Sequence, residues 1–196
     1  MNDTLNTLLK RRSVRKYSDK PVEQEKIDEV LKAGTYAPTA SGKQSPTLVC
    51  ITNKDDLNAA EVINADVMGK AGAHPFYGAP MAILVLGDAD NGNTIYDGSL
   101  VMGNLMNAAA SVGLGSCWIH RAKETFERED GKALLKKWGL NGKYVGIGYC
   151  ILGYTDEPFM ADGPARKDRR SFKGWNLCSY SFWKAEPNSC LHHKQR

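Results

Sequence analysis

Three arginines surround a hydroxyl in the stretch Arg11-Arg12-Ser13-Val14-Arg15. A guanidinium fork pairs two oxygens at once, so this grouping suits a phosphate. The same residues also suit a solvated helix end, where cations are favourable in any case. A second grouping is the loop Tyr36–Pro46, YAPTASGKQSP. Thr39, Ser41, Gln44 and the backbone amides around them could hydrogen-bond a planar heterocycle or a phosphate. An ordinary polar loop has the same composition. No GK[ST] closes the stretch, so it is not a Walker loop. A third grouping, Gly113-Leu114-Gly115-Ser116, opens like a dinucleotide-binding glycine motif. Its sixth residue is Trp118, and it follows a helical pattern instead of a strand, which excludes that reading. A tight turn with exposed amides remains.

Conventional catalytic patterns are missing. There is no GxSxG, no HExxH and no pattern of paired carboxylates. Cys117 beside Trp118 reads as a small buried residue and not as a nucleophile. The cysteines number five, without CxxC spacing, which points to free thiols in a reducing compartment. His192 and His193 are adjacent near the C-terminus, without the spacing of a metal site. Anion clamps and amide-rich loops without acid–base machinery point to a protein that holds a cofactor carrying the chemistry itself.

Alternating helices and strands must position these groups. Thr4 is placed to cap a first helix with Leu5, Leu8 and Leu9 as its apolar positions. Pro21 opens a second helix, with a stripe of Ile27, Val30 and Leu31, and Gly34 ends it as a left-handed cap. Thr47 to Thr52 predicts a short strand. A polar helix follows from Asp55 to roughly Lys70. The run MAILVLGD after Pro80 predicts a central strand. Tyr96 to Val112 is the most apolar helix, apolar around most of its circumference, which places it in the core or at a subunit interface. Gly113 stops it, and LGSCWI leads to a short strand. Lys123 to Trp138 predicts one amphipathic helix, with Phe126, Leu134, Leu135 and Trp138 inward. Tyr144 to Tyr154 is a third long strand, whose glycines weaken it or allow close backbone approach. Two helices precede every strand, so the fold is read as α+β or mixed three-layer and not as a regular βαβ array.

The chain of 196 residues, 42% hydrophobic and 24% charged, suits one globular domain. No apolar run nears the roughly 20 residues of a membrane span, and MNDTLNTLLKRRS carries no apolar secretory stretch. The net charge of +4 is uneven: residues 164–196 carry eight basic and two acidic side chains. The rest of the chain is close to neutral, unlike a dedicated nucleic-acid binder.

Taken in order, five stretches resemble the FMN-dependent nitroreductase family. They are RRSVRKYSDKPV (Arg11–Val22), AGTYAPTASGKQSP (Ala33–Pro46), YGAPMAILV (Tyr77–Val85), YDGSLVMGNLMNAAASVGLGSCWI (Tyr96–Ile119) and YVGIGYCILGY (Tyr144–Tyr154). The resemblance implies an α+β fold with a mixed central β-sheet flanked by helices, working as an intertwined homodimer. Each dimer-interface cleft would hold FMN touched by both chains. Arg11, Arg12, Ser13 and Arg15 would grip its phosphate and ribityl chain, with Arg166 and Lys167 closing on the phosphate. Pro38, Thr39, Ala40 and Gln44 would reach the flavin from the partner chain. Gly42 stands where the family has asparagine, and Pro46 where an aromatic is common. Gly113, Leu114, Gly115 and Ser116 would present amides near flavin N5 and O4.

The resemblance spans roughly residues 5–167. The expected organisation is therefore a flavin-binding domain over residues 1–167 and an atypical extension over 168–196, read as a partner-crossing strand or a disordered tail. The implied activity is cytoplasmic transfer of hydride from NAD(P)H, through FMN, to a nitroaromatic, quinone or similar small acceptor by a ping-pong mechanism. No catalytic side chain, metal, nucleic acid or membrane is implied. Two alternatives stand beside it: a flavin-dependent reductive dehalogenase or flavin-fragmenting relative, and a basic-tailed anion- or RNA-binding module.

Overall fold

The computed structural model describes residues 2–164, 166 and 167. Residues up to Asp162 form one compact unit. Gly163, Pro164, Arg166 and Lys167 belong to a second unit, in which Arg166 and Lys167 are exposed. The extension expected over 168–196 lies outside the described residues.

The first unit is built as α1 (Asp3–Lys10), α2 (Gln24–Thr35), β1 (Thr47–Ile51), α3 (Lys54–Val67), β2 (Met81–Asp88), α4 (Thr94–Ser111), β3 (Gly115–Ile119), α5 (Ala122–Glu127), α6 (Glu129–Lys137) and β4 (Tyr144–Gly153). The strands form one sheet in the order β1-β2-β4-β3. All three regular pairings are antiparallel. Among the described residues, parallel pairing is confined to an isolated bridge between Ser13 and Ser116.

The sheet is covered on both faces, which is why β2 reads as an unbroken apolar run. Ala82, Leu84 and Leu86 join Ile119, Tyr149 and Ile151 in one core with residues of α3, α5 and α6. Met81, Ile83 and Val85 face the other way, with Cys150 and Leu152, into a core shared with α2 and α4. The period of two along one strand thus feeds two separate cores. The α+β class and the three layers agree with the sequence expectation.

Four local expectations are corrected. Asn2 caps α1, not Thr4: its Oδ1 accepts from the Leu5 amide at 2.9 Å. The second helix starts at Gln24, three residues past Pro21. Gly34 lies inside that helix and not at its cap, because a Cβ there would meet Leu105 Cδ2 of α4 at 2.7 Å. The single helix expected over Lys123–Trp138 is two, broken at Arg128, whose backbone is extended (φ −77°, ψ 154°). Gly131 of α6 packs directly on the Thr125 carbonyl, and no side chain would fit between them.

α1 buries none of its residues, and Leu5, Leu8 and Leu9 are each at least half exposed. It packs against α4. α4 buries Val101, Met102 and Leu105 but exposes Ile95, Tyr96 and Leu100. Among the described residues no helix is long and apolar enough to cross a membrane.

Candidate functional site

The arginine-rich stretch is not a continuation of α1. It runs extended beside the sheet edge. On one side the Arg12 amide donates to the Phe159 carbonyl (2.7 Å), and the Ala161 amide to the Lys10 carbonyl (3.0 Å). On the other side the Val14 amide donates to the Ser116 carbonyl (3.0 Å). Val14 is buried, seated against Gly115 where a Cβ would collide with its methyl groups. The segments around Arg11 and Gly115, about a hundred residues apart in sequence, therefore form one rung of structure.

The structure separates the arginines of the cluster. Arg12 closes the helix end: its Nη1 donates to the carbonyls of Leu9 (2.9 Å) and Arg11 (2.8 Å). Arg11 does not. Among the described residues its Nη1 is buried with no hydrogen-bond partner, and so is the Ser116 Oγ. A buried cationic donor left unpaired is costly, so this position fits an anionic ligand such as a phosphate. Ser13 and Arg15 are exposed.

An open cleft of about 430 Å³ lies next to this rung. Arg15 lines it, together with the loop after α3 (Met68, Lys70, and Ala73 to Tyr77 apart from Phe76) and the end of β3 from Cys117 to Arg121. Gly113 to Ser116 do not line it. Leu114, Gly115 and Ser116 are buried beneath the β3 edge instead.

Asn64 holds the cleft's floor. It is fully buried on α3, and its Nδ2 donates to the His120 carbonyl at 2.8 Å. Its Oδ1 accepts from Arg121 Nε at 3.4 Å. The Arg121 carbonyl accepts from the Thr125 amide (2.9 Å) and hydroxyl (2.8 Å). These bonds fix Arg121 in a left-handed backbone (φ 72°), unusual for a residue with a side chain. Tyr77, also on the cleft, is left-handed too (φ 54°).

The loop Pro38–Pro46 is organised from a different hub. Asp97, 2% exposed in the first turn of α4, accepts from the Ala40 amide at 2.9 Å and from Asn91 Nδ2 at 3.3 Å. Asn91 Nδ2 also donates to Ser45 Oγ at 2.8 Å. Thr39 Oγ1 accepts from the Gln44 amide at 2.9 Å. Ser41 (φ 55°) and Gln44 (φ 50°) are left-handed. All four left-handed non-glycine residues described thus lie on this loop or on the cleft, where backbone strain is characteristic of binding sites. Pro38, Thr39, Ala40 and Gln44 do not line the cleft of their own chain.

Among the described cysteines, burial raises Cys50 and Cys150. Burial pushes the Cys150 thiol up to about 12. Cys117 is buried, with Sγ donating to the Trp118 carbonyl at 3.7 Å. Tyr17 is raised as well, chiefly by burial, and its hydroxyl donates to the Val14 carbonyl at 3.1 Å. Among the described residues no group of His, Cys, Asp or Glu is placed to hold a metal ion.

Sequence reasoning missed Asn64, Asp97, Lys70, His74, His120 and Arg121. Asp97 had a signal: a lone carboxylate inside the most apolar helix. His120-Arg121 closes an apolar strand with two polar residues directly before a helix. Nothing local marks Asn64.

The nitroreductase family model matches residues 8–154. A putative NADH dehydrogenase/NAD(P)H nitroreductase of Archaeoglobus fulgidus is 28% identical, over 89% of this chain and all of its own length. A solved structure of an FMN-dependent nitroreductase from Clostridium difficile is 29% identical, with a TM-score of 0.72 over 87% of this chain and 99% of that one. A nitroreductase with bound FMN from Desulfitobacterium hafniense has the same fold, with a TM-score of 0.79 at 20% identity, over 89% of this chain and all of that one. With the family model covering most of the described unit, the chain belongs to the nitroreductase family.

Proposed function

We propose that this protein is an FMN-dependent oxidoreductase that takes electrons from NAD(P)H and delivers them to a small acceptor such as a nitroaromatic or a quinone. One observation carries the reading: Arg11 Nη1 is buried without a hydrogen-bond partner among the described residues, on the same extended segment as Arg15, which lines the cleft. It calls for an anion at that point, and the phosphate of FMN supplies one. Relatives named as an FMN reductase [NAD(P)H] of Bacillus subtilis and an NADPH-flavin oxidoreductase of Vibrio harveyi support the same chemistry.

When bound, FMN supplies two-electron transfer between the nicotinamide and the acceptor. The chain's residues bind and orient. Arg11 would pair with the phosphate, and Ser13 and Arg15 would add hydrogen bonds beside it. Asn64 and Thr125 hold the end of β3 rigid, so its amides are presented in fixed positions. The buried strand beneath excludes water from one side of the cleft. No side chain forms a covalent bond to substrate.

The loop Pro38–Pro46 is assigned to the cleft of a second copy, in a homodimer of twice the 21.6 kDa chain mass. The exposed leucines of α1 and the exposed Ile95, Tyr96 and Leu100 on adjoining α4 are the surface it would cover. The free thiols of Cys50, Cys117 and Cys150 suit a reducing cytoplasm.

The visible spectrum of the purified protein is the first test, and a yellow, FMN-loaded dimer is expected. Initial-rate plots against NAD(P)H at several acceptor concentrations should then be parallel, because donor and acceptor use one cleft in turn. A colourless protein that cannot be reconstituted with FMN would overturn the assignment. Intersecting lines would require a ternary complex.

A further inference from the structure

We infer that Lys70 and His74 read the 2′-phosphate of NADPH, making the enzyme selective for NADPH over NADH. This rests on the flavin reading above and deepens it.

The cleft is unusually one-signed. Arg15, Lys70, His74, His120 and Arg121 line it, and no carboxylate does. The carboxylate behind it is already committed. Glu61, mostly buried, accepts from the Phe76 amide at 2.7 Å and stands 3.5 Å from His74 Nδ1. The carboxylate stands on one ring nitrogen and leaves Nε2 available on the other side.

These cations are not equivalent. Arg11 and Arg15 serve the cofactor's phosphate end. Arg121 is tied to Asn64 Oδ1 and to Met68 Sδ at 3.2 Å. Lys70 has no such side-chain partner among the described residues, and His74, on the same loop, meets Glu61 on Nδ1 alone. Both are exposed, and the His74 side chain is 79% accessible. The loop's backbone is nevertheless set: the Lys70 amide donates to the Ala65 carbonyl and the Ala73 amide to the Lys70 carbonyl, each at 3.0 Å. Tyr77 and Phe76 anchor its far end, with the Tyr77 amide donating to the His74 carbonyl at 3.0 Å.

A cleft of this size takes the reacting rings and leaves the rest of a dinucleotide at its mouth. NADPH and NADH differ there by one phosphomonoester. The Lys70 ammonium and the free Nε2 of His74, together at an open rim, favour that dianion over a hydroxyl.

The test uses the FMN-loaded protein, with 2′,5′-ADP and 5′-AMP as probes in calorimetric titrations. The wild type should bind 2′,5′-ADP about tenfold more tightly, as a charge-assisted contact predicts. Lys70→Ala and His74→Ala should each lose most of that preference and leave 5′-AMP binding unchanged. Kinetically, KM for NADPH should rise and KM for NADH stay, with kcat and FMN content unaltered. Equal loss for both dinucleotides would overturn the inference. Loss of FMN from the variants would also overturn it, since the residues would then belong to the cofactor site. A change confined to 4-nitrobenzoate against 4-nitrobenzamide as acceptor would assign the cations to an anionic acceptor instead. A colourless wild type that still prefers 2′,5′-ADP would keep the phosphate site and remove only the flavin reading.

Discussion

The cleft at the end of β3 and the loop Pro38–Pro46 are built on the same plan with opposite chemistry. Each has two left-handed non-glycine residues, and each is pinned by one buried polar side chain of a neighbouring helix. The cleft's hub is Asn64, a neutral amide that donates to a carbonyl and accepts from a guanidinium. The loop's hub is Asp97, a carboxylate that only accepts. The amide of Asn64 can both donate to the His120 carbonyl and accept from Arg121. Beneath the loop, a carboxylate gathers two donors, the Ala40 amide and Asn91. The polarity of the groups to be satisfied thus decides which hub each region can use.

Removing the hubs should give the largest effects. Asp97→Ala leaves the Ala40 amide and Asn91 without their buried acceptor, and should cost about 3 kcal/mol of stability. Urea unfolding measures it, and a loss under about 1 kcal/mol would mean that water replaces the carboxylate. If the loop serves the flavin ring and not its phosphate, this variant should weaken FMN and riboflavin binding together.

Arg11→Ala should do the opposite on the cleft side. FMN affinity should fall by about 2 kcal/mol, typical of a charge-assisted hydrogen bond, while riboflavin binding stays the same. Fluorescence titration with both ligands separates the two cases. An equal fall for riboflavin would show that the arginine is not reading phosphate.

Asn64→Ala should cost about 1.5–2 kcal/mol of stability, less than Asp97→Ala, because its bonds involve a neutral amide. The parallel measurement in urea sets the ranking of the two hubs. A larger loss at Asn64 would reverse the comparison.

The smallest effects probe backbone strain. Ser41→Gly should stabilise by about 0.5–1 kcal/mol, because glycine adopts a positive φ without steric penalty. Arg121→Gly relieves the same strain but removes the side chain's bonds to Asn64 and Met68, so its thermal midpoint should change little. Equal gains at both sites would mean that those bonds contribute nothing. Cys117→Ser should keep most of the activity, and its loss with FMN still bound would make the thiol catalytic.

Much of the fold was legible because it rests on local pattern. The apolar run of β2 marked a strand covered on both faces, and the stripe Ile27–Val30 marked the inner side of α2. Gly34 and Gly131 were less legible. A glycine looks like a stop signal from its neighbours alone, and only the approach of Leu105 or of the Thr125 carbonyl shows why no side chain is allowed. The arginine cluster was legible as either an anion clamp or a helix end. That Arg12 spends its guanidinium on α1, and Arg11 does not, depends on how the chain turns after Lys10.

By itself, then, the sequence determined most of the element order, the α+β class and the residue types from which an anion site is assembled. These follow from periodicity and side-chain chemistry, which act over a few residues. Tertiary structure alone decided that the cleft starts at Cys117 and not at Gly113, that Lys70 and His74 share it, and that Asn64 is the hub of the cleft and Asp97 that of the loop. The hub bonds join residues 56 and 57 positions apart. A buried polar group has no sequence period, because its partner is chosen by whichever unpaired donor or acceptor the packed layers bring within reach.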